Sequence, residues 1–242
     1  MQLPPTIYSR EAAEKGLSVT LFDRLKEILP DSLQTLLRVQ YRMHEAIMTF
    51  SSKRFYEGKL IADESVRGHL ACELEGVEAT DLTSVPLAYV DTAGSGFAEA
   101  WNELLESREN AGEAALAVRL MERLLAAGMK PKDIALLAPY VAQVKLLRSV
   151  VRAPGVEIGS VDGFQGREKE ATIVSLVRSN EGGEVGFLSD TRRMNVAMTR
   201  ARRLLIVVGD SATIGSHPFY SGFIDYADSL RAHRSAYEWP GT

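Results

Sequence analysis

One cysteine, Cys72, is all that 242 residues contain, so neither an intrachain disulfide framework nor a paired-cysteine metal site can be built, and the chain suits a reducing compartment. A positive excess is missing too: 28 lysines and arginines stand against 32 aspartates and glutamates, a formal net charge of -4. That balance excludes a protein that coats nucleic acid through bulk electrostatics, since such binding grows with the number of phosphates neutralised, and any nucleic-acid site has to be a local patch. No apolar run reaches the length that crosses a bilayer, and the opening MQLPPTIYSREAAEKG lacks the charged-then-apolar order of a signal peptide. The expected location is the cytoplasm, or the nucleus of a eukaryote, with no membrane partner. Internal repeats and low-complexity tracts are absent as well, so the chain is expected to be folded nearly throughout.

What is present is an alternation of helical and strand patterns. LSVTLFDRLKEIL is helix-like, LQTLLRVQYR is rich in apolar residues, and HEAIMTFSSKRFY has a helical rhythm. A polar, irregular stretch then resolves at PLAYVDTAG, a strand closed by small turn residues. The amphipathic segment from Glu109 to Ala127 reads as a helix with Gly128 in the C-cap position, and Pro131 restarts the chain. Beyond it DIALLAPY, VEIGSVDGFQG, TIVSLVRS and RRLLIVVGD read as strands, with helices at VAQVKLLRSVV, TRRMNVAMTRA and PFYSGFIDYADSL. Strands that are continuously apolar rather than alternating belong to a parallel sheet buried on both sides. The expected fold is therefore three-layer α/β, a mostly parallel sheet covered by helices on both faces. Ligands of such folds gather beyond the carboxyl ends of the strands, where the functional residues are expected.

RRMNVAMTRARR, Arg192 to Arg203, carries five arginines straight into the apolar LLIVVGD. With Asp190 as a cap, Arg193, Val196, Ala197 and Arg200 share one helical stripe, a mixture that a purely solvated face does not need. Two readings are open: the arginines pair with the acids of the chain, or their planar donor forks form an anion site. VDGFQGREKE, Val161 to Glu170, follows a strand with a polar loop whose two glycines let a backbone approach a ligand closely, although a hairpin turn would use the same residues.

Taken in order, QYRMHEAI, APYVAQ, SVDGFQGREKE and RRMNVAMTRARR resemble the later motifs of superfamily 1 helicases. GFQGREKE and NVAMTRAR resemble the 5′-to-3′ branch that includes the nonsense-mediated-decay helicase and the immunoglobulin-mu-binding protein, the second being nearer through SVRGHL, VDTAG and VRSNEGGEVGFL. The resemblance extends over nearly the whole chain. It implies a RecA-like fold, with residues 36–242 as the second (C-terminal) motor domain and residues 1–35 as a remnant of the first and its linker, because QLPP closes the family's third motif and here follows Met1 directly. The sequence has no GxxxxGK[ST] phosphate loop and no acidic pair placed to hold magnesium. ATP and Mg2+ are therefore expected to be held mainly by the first motor domain, and no metal ligand is expected in this chain.

The same resemblance assigns individual roles. Arg42 and Arg200 match the two arginines that the second domain presents to the transferring phosphoryl group, and Gln2 matches the glutamine that senses the terminal phosphate. Tyr41 matches the aromatic that stacks on adenine, Gly166 the residue whose backbone approaches the γ-phosphate, and Glu168 the acid that hydrogen-bonds the ribose. Packing in the core and an ordinary surface carboxylate are the alternatives for Tyr41 and Glu168. Pro139, Tyr140, Gln143, Ser160, Val161 and Asp162 match segments that face single-stranded DNA or RNA, with packing the alternative for Tyr140. Arg192, Arg193, Arg202 and Arg203 are left as structural or electrostatic support. The implied function is the C-terminal RecA-like domain of an ATP-dependent DNA or RNA helicase, inactive as an ATPase without its phosphate-loop half; the alternative is a non-catalytic module that binds nucleic acid or protein.

Overall fold

Strands that are apolar on both faces need a layer on each side, and the computed structural model, which describes Leu3, residues 9–17 and residues 19–239, supplies both. Strands β1 (Leu87–Asp91), β2 (Ile134–Ala138), β3 (Glu157–Ser160), β4 (Lys169–Ser175), β5 (Ala201–Gly209) and β6 (His233–Ser235) form one sheet. Their order is β6-β1-β5-β4-β2-β3 and every adjacent pair is parallel. The main helices are α1 (Glu45–Phe55), α2 (Ala111–Ala126), α3 (Val141–Val150), α4 (Thr191–Met198) and α5 (Pro218–Ser229). Along β5, Leu205 and Val207 enter one core with Ile47 and Phe50 of α1, Val196 of α4 and Phe223 of α5. The alternate residues Leu204, Ile206 and Val208 enter a second core with Leu116, Leu120 and Leu124 of α2 and Leu147 of α3. Burying one such side chain contributes about 1.5–3 kcal/mol, so these two cores, rather than surface ion pairs, bind the three layers together.

Helix ends fall where local chemistry puts them. The Asn110 side chain accepts the Glu113 amide at 2.9 Å to open α2. Gly128 closes it at φ 96°, and a Cβ there would sit 2.0 Å from the Gly76 carbonyl oxygen. Asp190 accepts the Arg192 amide at 3.2 Å to open α4, as expected.

Other segments depart from expectation. LQTLLRVQYR contributes only the two-residue strand Val39–Gln40, parallel to Ile61–Ala62, and leaves Leu33, Leu36 and Leu37 exposed. The helix Leu21–Ile28 buries none of its residues. A hairpin of Ala100–Asn102 with Ser107–Glu109 and the edge strand β6 were not foreseen, because three-residue strands are too short to show a period. Among the described residues no helix is long and apolar enough to cross a membrane.

Two connections matter for function. Residues 161–168 leave β3 at its carboxyl end and enter β4 at its amino end, and α4 runs antiparallel to the strands between the same two ends.

Candidate functional site

α4 stops at Met198 because the Thr199 hydroxyl turns back onto the carbonyls of Asn195 and Val196, at 2.8 and 3.2 Å. Arg200 consequently falls in the turn before β5 rather than on the helix. It is only 9% exposed, and its guanidinium donates to Val196 O at 2.9 Å, Arg167 O at 3.0 Å and Thr199 Oγ1 at 3.1 Å, all neutral oxygens. Arg42 converges on the same turn: its Nη1 donates to Thr199 O at 3.3 Å and its Nε pairs with the Glu168 carboxylate. Burial, and then the neighbouring Arg42 charge, pull the Arg200 pKa down to about 10, so it stays protonated at neutral pH but poorly compensated.

The other four arginines are compensated. Arg192 pairs with Asp190 at 2.8 Å, Arg193 with Asp190 at 3.0 Å and Asp162 at 3.5 Å, Arg202 with Glu170 at 3.4 Å, and Arg203 with Glu170 at 2.9 Å and Glu73 at 3.2 Å. Burial works against the Asp190 charge, yet the Arg192 and Arg193 guanidiniums hold its carboxyl below the usual range. Among the described residues, Arg200 has no carboxylate at ion-pair distance. A buried cation bonded only to neutral acceptors, beside a second cation, is stabilised by an incoming anion.

Around this pair, Tyr41 is 67% exposed rather than in the core. Gly166 adopts φ 88°, and nothing lies within 4 Å of where its side chain would be, so its backbone is open to approach. Glu168 is not a free surface carboxylate, since it holds Arg42. Gln2 lies outside the described residues. The cluster of Tyr41, Arg42, Gly166, Glu168 and Arg200 gathers at the amino ends of β4 and β5, which corrects the expectation that all functional residues collect beyond the carboxyl ends. The direction of α4 is the reason: it carries the chain back before Arg200.

The expected nucleic-acid residues do lie at the carboxyl ends. Tyr140 is half-buried after β2, and Ser160 ends β3, its Oγ accepting the Gly163 amide at 3.1 Å. The Asp162 charge is answered by Arg193. Pro139 and Val161 are buried, and the Val161 amide donates to Ala138 O at 3.2 Å. Gln143 needs correction: it is fully buried, accepting the Asn110 amide at 2.8 Å and donating to Asn110 O at 3.1 Å and Ser175 Oγ at 3.0 Å. It supports the surface from beneath and does not face a strand, because polar partners from α2 and β4 saturate its amide.

The fold thus brings Arg42 and Arg200 to one end of the sheet, and Tyr140, Ser160 and Asp162, with Arg193 beside them, to the other. A family model described as AAA domain matches residues 17–212. The chain belongs to this family, as a superfamily 1 helicase domain. DNA-binding protein SMUBP-2 of Rattus norvegicus is 48% identical over 98% of this chain, which corresponds to 24% of that protein. DNA polymerase alpha-associated DNA helicase A of Schizosaccharomyces pombe is 42% identical over 94% of this chain and 35% of its own length. The regulator of nonsense transcripts 1 homolog of Neurospora crassa is 35% identical over 90% of this chain and 20% of its own length. The helicase domain therefore spans about a third or less of the relatives it matches. Among solved structures, the C-terminal domain of a possible DNA helicase from a Lactobacillus covers 81% of this chain and 99% of itself, at 13% identity and a TM-score of 0.42.

The helicase domain also holds a polar site that no motif announced. Glu113, in the first turn of α2, is completely buried; it accepts from Ser175 Oγ at 2.7 Å and from the Val177 amide at 2.8 Å. Val177 is held at φ 74°, a conformation a β-branched residue rarely adopts, and Asn110 Nδ2 donates to its carbonyl at 3.2 Å. Burial pushes the Glu113 carboxyl up to about 8, against the lowering effect of its hydrogen bonds. A raised acid favours the folded state while it is protonated, so this contribution is complete below the ordinary glutamate pKa and is lost as pH rises through about 8. Glu113→Gln should remove that dependence: the melting temperature of the wild type should fall relative to the variant between about pH 5 and 8 and run parallel above, a difference of order a few kcal/mol. Parallel curves throughout would show that Glu113 does not titrate in this way. A glutamate in an N-terminal helical turn ordinarily reads as a solvated acid, so the sequence offered no signal for it.

Proposed function

We propose that this domain is the C-terminal RecA-like half of an ATP-dependent helicase acting 5′ to 3′ on single-stranded DNA or RNA, in the cytoplasm or the nucleus. Residues 36–242 form that half, and residues 1–35 belong to the first motor domain and its linker. The observation that carries the reading is Arg200, buried beside Arg42 with only neutral oxygens for partners. A pure binding module has no use for such a pair.

The donors present fit a polyphosphate. Arg200 and Arg42 bind the terminal phosphate group and oppose the charge that builds on it during transfer, the open backbone at Gly166 approaches it, and Gln2 senses it. Tyr41 stacks on the adenine, and Glu168 exchanges Arg42 for the ribose. Mg2+, held mainly by the phosphate-loop domain, supplies charge neutralisation of the phosphate oxygens when bound.

The strand runs over the opposite end, along Tyr140, Ser160 and Asp162. Two elements touch both ends, and they are tied to each other at each: Arg193 to Asp162 at the strand end, and Arg200 to Arg167 O at the phosphate end. A shift of Arg200 toward phosphate therefore pulls on the segment that carries Asp162.

Half a groove and a negative net charge leave few phosphate contacts. The domain by itself should bind oligonucleotides weakly, roughly micromolar or weaker at physiological salt, with affinity falling steadily as salt rises. Submicromolar, sequence-selective binding at physiological salt, measured by fluorescence anisotropy, would instead favour the non-catalytic binding module.

A further inference from the structure

The segment after β4 presents one aromatic side chain that neither the phosphate end nor the expected strand residues account for. Phe187 is 38% exposed although its neighbour Leu188 is buried and the Leu188 carbonyl accepts the Tyr220 hydroxyl at 2.9 Å. On its other side Gly186 adopts φ 53°, and a side chain there would meet Arg178 Nη1 at 1.9 Å. Arg178 is itself fixed, buried and paired with Glu99 at 2.7 Å. Phe187 is thus held out between two anchored residues.

Its surroundings are equally fixed. The Arg193 guanidinium carbon lies 3.7 Å from the ring centroid, and Asp190 and Asp162 hold that guanidinium in place. The Tyr140 ring stands 6.0 Å away, tilted by 52°. Arg193 lies against the ring and Tyr140 stands near it, yet the residue remains 38% exposed, which leaves the ring face opposite Arg193 as the surface open to a ligand.

We propose that this face is a stacking platform for one base of the bound single strand, with Arg193 as its floor and Tyr140 as its side wall. The proposal rests on the nucleic-acid reading above, because Tyr140 stands beside the ring and Asp162 holds the Arg193 guanidinium against it. A phosphate is the poorer fit: two carboxylates already answer the Arg193 charge. A protein partner is poorer as well, since the same segment exposes Glu181, Gly182, Glu184 and Ser189, mostly polar residues, and an apolar hot spot needs a surround that excludes water. A base needs only a π-face, and stacking accepts any sequence.

The test is a cycle between ring and base. Phe187→Ala, Phe187→Leu and Phe187→Tyr are titrated at low salt with a labelled oligothymidylate and with a strand of the same length carrying abasic sites. Leucine keeps the bulk and tyrosine keeps the ring, so a folding defect is separable from lost stacking. The alanine and leucine variants should bind oligothymidylate roughly five- to a hundredfold more weakly, and the tyrosine variant within about twofold of wild type. The slope of affinity against salt should not change, because no phosphate contact is lost. On the abasic strand the wild type should fall to the level of the alanine variant. Wild-type affinity in the alanine and leucine variants, or an equal loss on both strands, would overturn the platform while leaving the helicase reading intact. If the wild type binds neither strand even at low salt, the nucleic-acid reading itself fails, and the platform with it.

Discussion

In a motor assembled from this domain and one that carries a phosphate loop, Arg200→Ala and Arg42→Ala should each lower kcat by something approaching the roughly 10³- to 10⁵-fold range of arginines that act on a transferring phosphoryl group. Nucleotide affinity should change much less, because the contact strengthens as charge develops and not in the ground state. Arg203→Ala serves as the comparison. Its guanidinium is occupied by Glu170 and Glu73 and by the Leu70 carbonyl at 2.9 Å, so kcat should hardly move. Lysine at position 200 should rescue poorly. The guanidinium is braced by Val196 O, Arg167 O and Thr199 Oγ1 together, and a point charge on a flexible stem can neither span those three nor offer a planar fork to phosphate. Steady-state kcat and equilibrium nucleotide binding, measured side by side, decide the matter. If Arg203→Ala matched the loss at Arg200, or if Arg200→Ala simply unfolded the domain, Arg200 would be scaffolding.

The second large effect concerns the domain by itself, which should show no ATPase activity above background, with or without single-stranded DNA or RNA. Phosphoryl transfer needs a cradle for the triphosphate and a held Mg2+, and the sequence has no GxxxxGK[ST] loop to provide the cradle. In the proposed function, Arg42 and Arg200 act on a phosphate that something else must first position. Steady release of phosphate by the purified domain, persisting through controls for contaminating enzymes, would refute the half-motor reading. Appearance of nucleic-acid-stimulated turnover on adding a phosphate-loop domain would support it.

The features that were legible in the sequence are local ones. β2, β4 and β5 announced themselves as unbroken apolar runs, Gly128 marked the end of α2, and Asp190 marked the start of α4, because each depends on residues within a few positions of one another. The ordered motifs likewise placed Arg42 and Arg200 as a pair. Gln143 departs for the opposite reason: the motif it belongs to carries no sign of its burial, and it is interior only because Asn110, 33 positions away, and Ser175, 32 positions away, bond its amide.

Five arginines in twelve residues were indistinguishable as a string, and four of them pair with acids of the chain, as one of the two readings had it. Asp190, two and three positions away, answers Arg192 and Arg193, but the others are separated by acids distant in sequence: Glu170 lies 33 positions from Arg203 and Glu73 lies 130, while nothing acidic is delivered to Arg200 at ion-pair distance among the described residues. The sequence by itself determined a parallel, three-layer sheet, since periodicity is a property of the string, and motif order nominated the residues proposed to act on phosphate. Tertiary structure alone decided that Arg42 and Arg200 lie at the opposite end of the sheet from Tyr140, Ser160 and Asp162, that among the described residues one guanidinium in five stays without a carboxylate, and that Phe187 stands out over Arg193. Each of those is set by which distant segments the folded layers bring within a few ångströms of one another, and no local pattern encodes that distance.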